Sequence, residues 1–341
     1  MPVVDAVPRM PAMLHSERYK DTREGRMKKS VTALFFVICL TLILPVQGRC
    51  EEDGAIVRIC YPSKAQYAPF ILAKETNAWE KNGLTVKNIV IAGGGIEVAE
   101  ALVAGEADVA SMGDAPALIA LSRNGNLKIL TSYMTSENMH RLIVSPSSNI
   151  ARPSDLVGKK IAVHAGTSTY GALLLYLKKH GIDKKEVTFV TIPPQFFPEA
   201  MQKGEVDAVA GSEPWPQNVL DKNPAARQLT TLGGLGNTYP HLILVRADFM
   251  QASPEKSKVV LRVIAEMESM LRDRPEEAAR LIAQATGRSW QKELAAVSEL
   301  QWSLNVDETI RKSLLQTAGF LLAEGKLKKM PDLKAAIQEQ E

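Results

Sequence analysis

The feature that most constrains the fold is an internal repeat. The stretch EALVAGEADVASMGDAP, residues 100–116, has a second copy in EAMQKGEVDAVAGSEPWP, residues 199–216, with Glu, Ala, Gly, Glu and Asp aligned at one common offset. Each copy reads as the end of an amphipathic helix, a Gly suited to a left-handed cap, a turn that ends in Asp, and a small buried strand. Two copies predict two α/β lobes.

The repeat extends into the flanking apolar segments. Three further pairs match in the same order at nearly the same offset: residues 57–60 and 160–163, 86–91 and 187–192, and 140–144 and 241–245. We therefore predict a duplicated α/β unit of about 100 residues, a usual size for a domain. Ligands bind beyond the carboxyl ends of strands in open parallel sheets, so each lobe is expected to offer one loop to a shared site.

A mostly helical pattern follows the last repeated strand. Pro254 and Pro275 mark two helix starts, and apolar residues at helical spacing predict further helices over residues 290–304 and 307–324. We expect these helices to pack on the outside of the first lobe.

Composition and charge exclude one class of partner. The chain of 341 residues is 45% hydrophobic and 23% charged, which is ordinary for a globular protein. The formal charge of +3 comes from the first 48 residues, where Lys and Arg outnumber Asp and Glu by that margin. The remainder is neutral and gives no support for nucleic-acid binding.

Residues 1–48 are expected to be a leader. Lys28 and Lys29 precede an apolar run, residues 31–44, which is typical of a secretory signal and is short for a membrane span. Met27 is the expected start of translation, with residues before it an upstream extension. Export places the protein in the periplasm or another extracytoplasmic space.

Two cysteines, Cys50 and Cys60, would remain after the leader is removed. A lipid anchor on Cys50 is the alternative to a free chain that begins near Arg49, although Arg directly before Cys does not suit a lipoprotein cleavage site. Cys60 ends a predicted strand and is expected to be buried, and a disulfide with Cys50 stays open. The sequence has no CxxC pair and no His cluster, so neither a metal nor another cofactor is expected.

Two Gly- and hydroxyl-rich loops are candidates for ligand binding. Thr167, Ser168 and Thr169 lie between a predicted buried strand and a helix, where unpaired N–H groups and short hydroxyls suit an anion. The alternative is that Ser168 or Thr169 only caps the helix. Gly94 and Gly95 form a similar loop in the first lobe, with a plain tight turn as the alternative; the spacing fits no dinucleotide or phosphate-loop motif.

The loops after the two repeated strands carry further candidates. Glu213 could accept a hydrogen bond from a ligand amine, and Trp215 could stack on an organic group. The alternatives are a solvated Glu213 and a Trp215 that packs within its lobe. Asp114 and Ala115 occupy the matching loop of the first lobe, where Asp114 could instead cap the helix that starts at Ala115.

The remaining polar candidates carry a weaker signal. Gln66 and Tyr67 precede a predicted helix and could reach the cleft. His164 reads as an interior strand residue, and His140 and His241 as structural residues near a hinge.

No catalytic constellation is evident in the sequence. It has no GxSxG elbow, no Cys with a partner His and no pair of acids tied to a nucleophile. A binding protein is therefore favoured over an enzyme.

These segments resemble the substrate-binding proteins of ABC importers for nitrate, sulfonates and taurine, a family that includes relatives that bind thiamine pyrimidine precursors. Four segments carry the resemblance: YAPFILAKETNAWEKNGLTV at 67–86, GGGIEVAEALVAGEADVASMGDAPAL at 93–118, DLVGKKIAVHAGTSTYGALL at 155–174, and GEVDAVAGSEPWP at 204–216. The resemblance implies a type II periplasmic-binding-protein fold of the α/β class, with two lobes joined by a two-strand hinge.

The resemblance also implies lobe limits and a site. Lobe one would comprise residues 54–143 and 244–341, and lobe two residues 144–243, with the chain crossing near 144 and 243. Position by position, the ligand would lie among residues already singled out: Gln66, Tyr67, Gly94, Gly95, Asp114, Ala115, Thr167, Ser168, Thr169 and Glu213.

The implied function is capture of a small anionic or zwitterionic solute, of the sulfonate or taurine type, for delivery to a membrane permease driven by an ATPase. We expect a monomer. Arg is absent from the matching positions, and Glu213 favours taurine over nitrate because its carboxylate could accept from an amine. The alternatives are a binding protein for a pyrimidine or aromatic acid, and a pyrimidine-synthesis enzyme on the same fold, which would need Cys or His residues clustered in the cleft.

Overall fold

The computed structural model describes residues 56–338. The expected leader, the start at Met27 and the alternatives at Cys50 lie outside the described residues. Within residues 56–338, no helix combines the length and the apolar character needed to cross a membrane.

The strands of the described region follow the predicted repeat. In chain order they are β1 (Val57–Pro62), β2 (Val86–Ile91), β3 (Val109–Gly113), β4 (Leu127–Thr135), β5 (His140–Val144), β6 (Lys160–Val163), β7 (Thr188–Thr191), β8 (Ala208–Ser212), β9 (Arg227–Thr231), β10 (His241–Arg246) and β11 (Gln301–Asn305).

The strands form two sheets of matching topology. The six-stranded sheet has the order β11-β4-β10-β3-β1-β2, and the five-stranded sheet has the order β7-β6-β8-β5-β9. In each, one strand that arrives from the other half of the chain, β10 or β5, is inserted antiparallel to its neighbours. This is the arrangement expected for a type II periplasmic-binding-protein fold.

Helices connect the strands and cover the sheets. They are α1 (Ala68–Glu75), α2 (Ala78–Lys81), α3 (Gly95–Val103), α4 (Asp114–Arg123), α5 (Ser168–Lys179), α6 (Phe197–Gln202), α7 (Trp215–Lys222), α8 (Ala247–Ala252), α9 (Pro254–Asp273), α10 (Pro275–Thr286), α11 (Trp290–Ser298), α12 (Glu308–Ala323) and α13 (Leu333–Ala336). Short 3-10 turns join several of them.

Both faces of the first sheet are buried. Ile59 and Cys60 are neighbours on β1, yet they belong to different apolar clusters, and Val109 and Ala110 on β3 divide in the same way. Because successive side chains of a strand point to opposite faces, helices must cover the sheet on both sides. The buried position of Cys60 agrees with the sequence prediction.

The two copies of the repeat form the same hydrogen bonds. Gly105 and Gly204 adopt left-handed conformations, with φ of 77° and 70°. The Asp108 carboxylate accepts from the backbone N–H of Arg58 at 2.9 Å, and the Asp207 carboxylate accepts from that of Lys160 at 2.8 Å. Each Asp therefore fastens the start of its strand, β3 or β8, to the adjacent parallel strand, β1 or β6, which explains why the motif needs a carboxylate there.

The crossings between the sheets differ from the sequence prediction. His140–Val144 lies wholly in the second sheet and His241–Arg246 wholly in the first, so the chain crosses within residues 136–139 and 232–240 rather than near 144 and 243. The reason is that β5 pairs on both sides, with β8 and β9, so the Ser- and Pro-rich segment after it ends a central strand rather than marking the crossing.

A second difference concerns residues 290–304, where the sequence predicted one helix. Helix α11 ends at Ser298, and Gln301–Asn305 forms an edge strand on β4. The residues of this strand alternate between exposed and half-buried, a pattern of period two that was hidden in the apolar spacing of the preceding helix.

Two Gly→Ala substitutions test the left-handed caps. Gly204→Ala places a side chain at φ 70° with no neighbour within 4 Å, so the expected loss is the conformational strain alone, about 1 kcal/mol. Gly319→Ala, in the interior of α12 and equally unobstructed, is expected to stabilise by about 0.5–1 kcal/mol because Ala favours the helix. Chemical denaturation measures both. Equal effects of the two substitutions would contradict the assigned conformations.

Candidate functional site

A cavity of about 80 Å³ lies between the two sheets. It is surrounded by the carboxyl ends of the parallel strands and the amino ends of the inserted strands β5 and β10. The residues that line it are Lys64, Gln66, Tyr67, Gly93, Gly94, Gly95, Glu97, Gly113, Pro116, His140, His164, Thr167, Ser168, Thr169, Pro194, Gln195, Phe197, Ala210, Gly211, Ser212, Trp215 and His241.

Most of the candidates from the sequence meet at this cavity. Gln66, Tyr67, Gly94, Gly95, Thr167, Ser168, Thr169 and Trp215 all line it. Asp114, Ala115 and Glu213 do not line it, and each of these three has a different position from the one the sequence suggested.

The amino end of α5 faces the cavity with its cap already formed. The Thr167 hydroxyl oxygen accepts from the N–H of Tyr170 at 3.3 Å, so Thr167 is the capping residue and not Ser168 or Thr169. Thr169 forms a hydrogen bond with His140 Nδ1 at 2.9 Å. The first-turn N–H groups of a helix lack partners within the helix and carry partial positive charge, so this end of α5 suits an anion.

Asp114 supports the site from behind the cavity wall. Its side chain is fully buried, and its carboxylate accepts from Ser168 Oγ, from Thr317 Oγ1 and from the N–H of Ala115 at 2.8 Å. Burial raises its pKa, and these three donors oppose the rise. The expected role of Asp114 as a ligand contact is therefore replaced by a role in holding Ser168, while Ala115 contributes its backbone N–H to the same network.

Glu213 points away from the cavity. Its Oε1 is paired with Arg141 at 3.1 Å, and its Oε2, which has no hydrogen-bond partner, lies 3.9 Å from Arg288. Because Glu213 does not line the cavity, its carboxylate is not placed for the ligand amine that the sequence suggested. Its backbone carbonyl instead accepts from Gln66 Nε2 at 3.0 Å. Trp215, two residues later, lines the cavity, and its buried Nε1 has no hydrogen-bond partner.

Lys64 also lines the cavity and was not predicted from the sequence. Its ammonium lies 5.5 Å from the centroid of the Trp215 ring, and Glu97 is the nearby acid that acts on its charge. Burial lowers the pKa of Lys64 to about 8. The available signal was its place in the loop after β1, two residues before Gln66.

Three histidines also line the cavity, although the sequence analysis assigned them structural positions. His140 is 2% exposed, and its Nε2 has no hydrogen-bond partner. Burial lowers the pKa of His140 and of His241 to about 3, and also lowers that of His164, so all three imidazoles are neutral near pH 7. His140 and His241 begin the matching strands β5 and β10, and this equivalence was visible in the repeat.

Comparison with known proteins agrees with this architecture. Residues 64–278 match the family described as NMT1/THI5 like. The chain is 26% identical over 295 residues to the taurine-binding periplasmic protein of Escherichia coli K12, covering 81% of this chain and 89% of that one. It is 25% identical over 318 residues to a putative aliphatic sulfonates-binding protein of Bacillus subtilis 168, covering 91% and 95%.

A solved structure shares the fold. The alkanesulfonate-binding protein SsuA from Xanthomonas axonopodis pv. citri, bound to MOPS, superposes with a TM-score of 0.75 at 23% identity, covering 84% of this chain and 99% of that one. The fold is therefore that of the periplasmic binding proteins, and the chain belongs to the NMT1/THI5-like family.

The Asp114 network gives a prediction about stability. Asp114→Asn keeps one oxygen for Ala115 N–H and Ser168 Oγ, and it replaces the oxygen that accepts from Thr317 Oγ1 with N–H₂, so the Thr317 hydroxyl loses its buried acceptor. We expect a loss of about 1–3 kcal/mol in the free energy of unfolding, measured with urea.

The matched control for this substitution is Asp307→Asn. Asp307 is the exposed N-cap of α12 and accepts from the N–H of Ile310 at 2.8 Å. Asn caps helices as well as Asp, so the expected change is within about 0.5 kcal/mol. A loss at Asp114 no larger than that at Asp307 would contradict the proposed network.

Proposed function

We propose that this protein is an extracytoplasmic solute-binding protein that captures a small organic anion or zwitterion of the sulfonate or taurine type and delivers it to an ABC importer. One observation carries the chemistry: the half-buried ammonium of Lys64 lies on the same cavity as the amino end of α5. A fixed cation and a helix N-terminus together suit a head group with several acceptor oxygens.

Further groups on the cavity wall support an anionic solute. Trp215 Nε1 is a buried donor without a partner, and a donor in that state gains most from a ligand oxygen. The cavity of about 80 Å³ is well below the roughly 300–1,000 Å³ of drug-sized pockets, which favours a solute of few non-hydrogen atoms.

A binding role is favoured over catalysis. The relatives named above are binding proteins. Within residues 56–338, Cys60 is buried on β1 and burial raises the pKa of its thiol to about 11, which leaves it a poor nucleophile. The enzyme alternative required Cys or His residues in the cleft, and three histidines do line the cavity. Cys60 does not line it, and the hydroxyl bonded to His140 is that of Thr169 in the first turn of α5.

The proposed function also involves movement of the two lobes, docking on a membrane partner and export. Each sheet with its helices forms one lobe, and the lobes move about residues 136–139 and 232–240. The closed, solute-bound form docks on a permease that an ATPase drives. The protein is an exported monomer, with translation starting at Met27 and cleavage after the leader.

Substitution of Lys64 separates binding from stability. Lys64→Met is expected to weaken a sulfonate's affinity at least about tenfold, because the fixed cation is lost. The same change is expected to leave the free energy of unfolding of the solute-free protein unchanged or slightly higher, because a partly desolvated charge is removed. Calorimetric titration and chemical denaturation measure the two effects. Lys64→Arg, which keeps the charge, is the control; unchanged affinity in Lys64→Met would refute the assignment.

The Lys64 ammonium also predicts a pH dependence. Because the pKa of Lys64 in the empty cavity is lowered to about 8, the ammonium predominates below that pH and is lost above it. The dissociation constant of ethanesulfonate, which has no amine of its own, is expected to be flat from pH 6 to about 7.5 and to rise about tenfold per unit above 8. Lys64→Arg should abolish this rise, and a profile identical to wild type would contradict the mechanism.

A further inference from the structure

The cavity wall carries an acceptor that an anion cannot satisfy. Gln66 is 4% exposed, and its Oε1 is buried without a hydrogen-bond partner. The orientation of the amide is fixed, because Nε2 donates to the Glu213 carbonyl oxygen at 3.0 Å and a carbonyl can only accept. Oε1 is therefore an acceptor without a donor on a residue that lines the cavity, and a buried acceptor in that state destabilises the protein until a donor reaches it.

The backbone of Gln66 is held just as firmly. Ser111 Oγ donates to Tyr133 Oη at 2.8 Å, and Tyr133 Oη donates to the Gln66 carbonyl oxygen at 3.0 Å. Ser111, Tyr133 and Gln66 are all buried. The acceptor is thus positioned before any solute arrives, which is what selective recognition requires.

The charges on the cavity wall balance. A Cβ placed on Gly94 would lie 3.7 Å from Glu97 Oε2 and 3.9 Å from Lys64 Nζ, so one carboxylate and one ammonium flank the same glycine. Glu97 is fixed by the N–H of Gly94, which donates to Oε2 at 2.8 Å. The histidines that line the cavity are neutral near pH 7.

A balanced cavity discriminates between solutes of different net charge. A simple alkanesulfonate would bring one unpaired negative charge into a wall whose charges already cancel. A zwitterion adds no net charge and can place its positive end against an acceptor, which avoids burying an uncompensated charge.

We propose that Glu97 and Gln66 recognise the cationic, N–H-bearing end of a zwitterionic solute, an aminosulfonate, while Lys64 and the amino end of α5 hold its anionic end. This inference rests on the function proposed above. It transfers to Glu97 and Gln66 the role that the sequence suggested for Glu213, whose carboxylate is already paired with Arg141.

The experiment compares two ligands with the same carbon chain and the same sulfonate, taurine and ethanesulfonate, by isothermal titration calorimetry at pH 7. Wild-type protein is expected to bind taurine at least about tenfold more tightly, the usual effect of a charged hydrogen bond. Glu97→Gln is expected to weaken taurine about tenfold and to leave ethanesulfonate unchanged or tighter. Gln66→Met should likewise reduce the preference for taurine.

Two features of Glu97→Gln separate recognition from a purely structural role. Gln serves as well as Glu at the third position of a helix, so the contact with Gly94 N–H at the start of α3 is retained. Glu100→Gln is the matched control, because Glu100 is exposed on the same helix and does not line the cavity. The control should leave both affinities unchanged.

The outcomes distinguish this inference from the function it rests on. Equal affinity of wild type for the two ligands, or an equal loss for both in Glu97→Gln, overturns the assignment of Glu97 and Gln66 and leaves the sulfonate-binding function standing. Binding of neither sulfonate overturns both proposals.

Discussion

One buried carboxylate ties the two sides of the cavity together. Asp114 begins α4 beside the first sheet, and it accepts a hydrogen bond from Ser168, the first residue of α5 beside the second sheet. On its other side it accepts from Thr317 of α12, which in turn accepts from Asn237 in the segment that crosses between the sheets. The Asp114 carboxylate thus connects three parts of the structure through hydrogen bonds. They are the amino end of α5, helix α12 and the segment that crosses between the sheets.

This arrangement limits what α5 can offer to a solute. A negative charge near a helix N-terminus is favourable, and Asp114 already occupies the Ser168 hydroxyl. The solute is left with the first-turn N–H groups of α5 and with Lys64. In the proposed function the ammonium of Lys64 is therefore the principal positive charge for the head group, even though burial lowers its pKa in the empty protein. Strain of this kind is often concentrated at binding sites.

The architecture could be predicted from the sequence because the sequence contains two copies of the same α/β unit. The Gly and Asp of the repeat have local physical roles, a left-handed cap and a carboxylate on the backbone of a neighbouring strand, and both copies fulfil them. The site could be predicted only in part. Loops after strands converge by topology, which brought Gln66, Gly95 and Thr167 to one cavity.

The direction of each side chain could not be predicted in this way. Glu213 turns away because Arg141 and Arg288 are close in space, and neither is close to it in sequence. Asp114 lies behind the wall because Thr317 approaches from a helix at the far end of the chain. Lys64 looked like an ordinary loop lysine, since its place on the cavity wall beside the Trp215 ring depends on the tertiary fold.

The most direct test of the account is a crystal structure of the protein with taurine, with the single sulfur of the solute located by its anomalous signal. The account requires a sulfur peak inside the cavity, with sulfonate oxygens in hydrogen-bond contact with Lys64 Nζ and the amino end of α5. A sulfur peak elsewhere, with the cavity between the sheets empty, would contradict it.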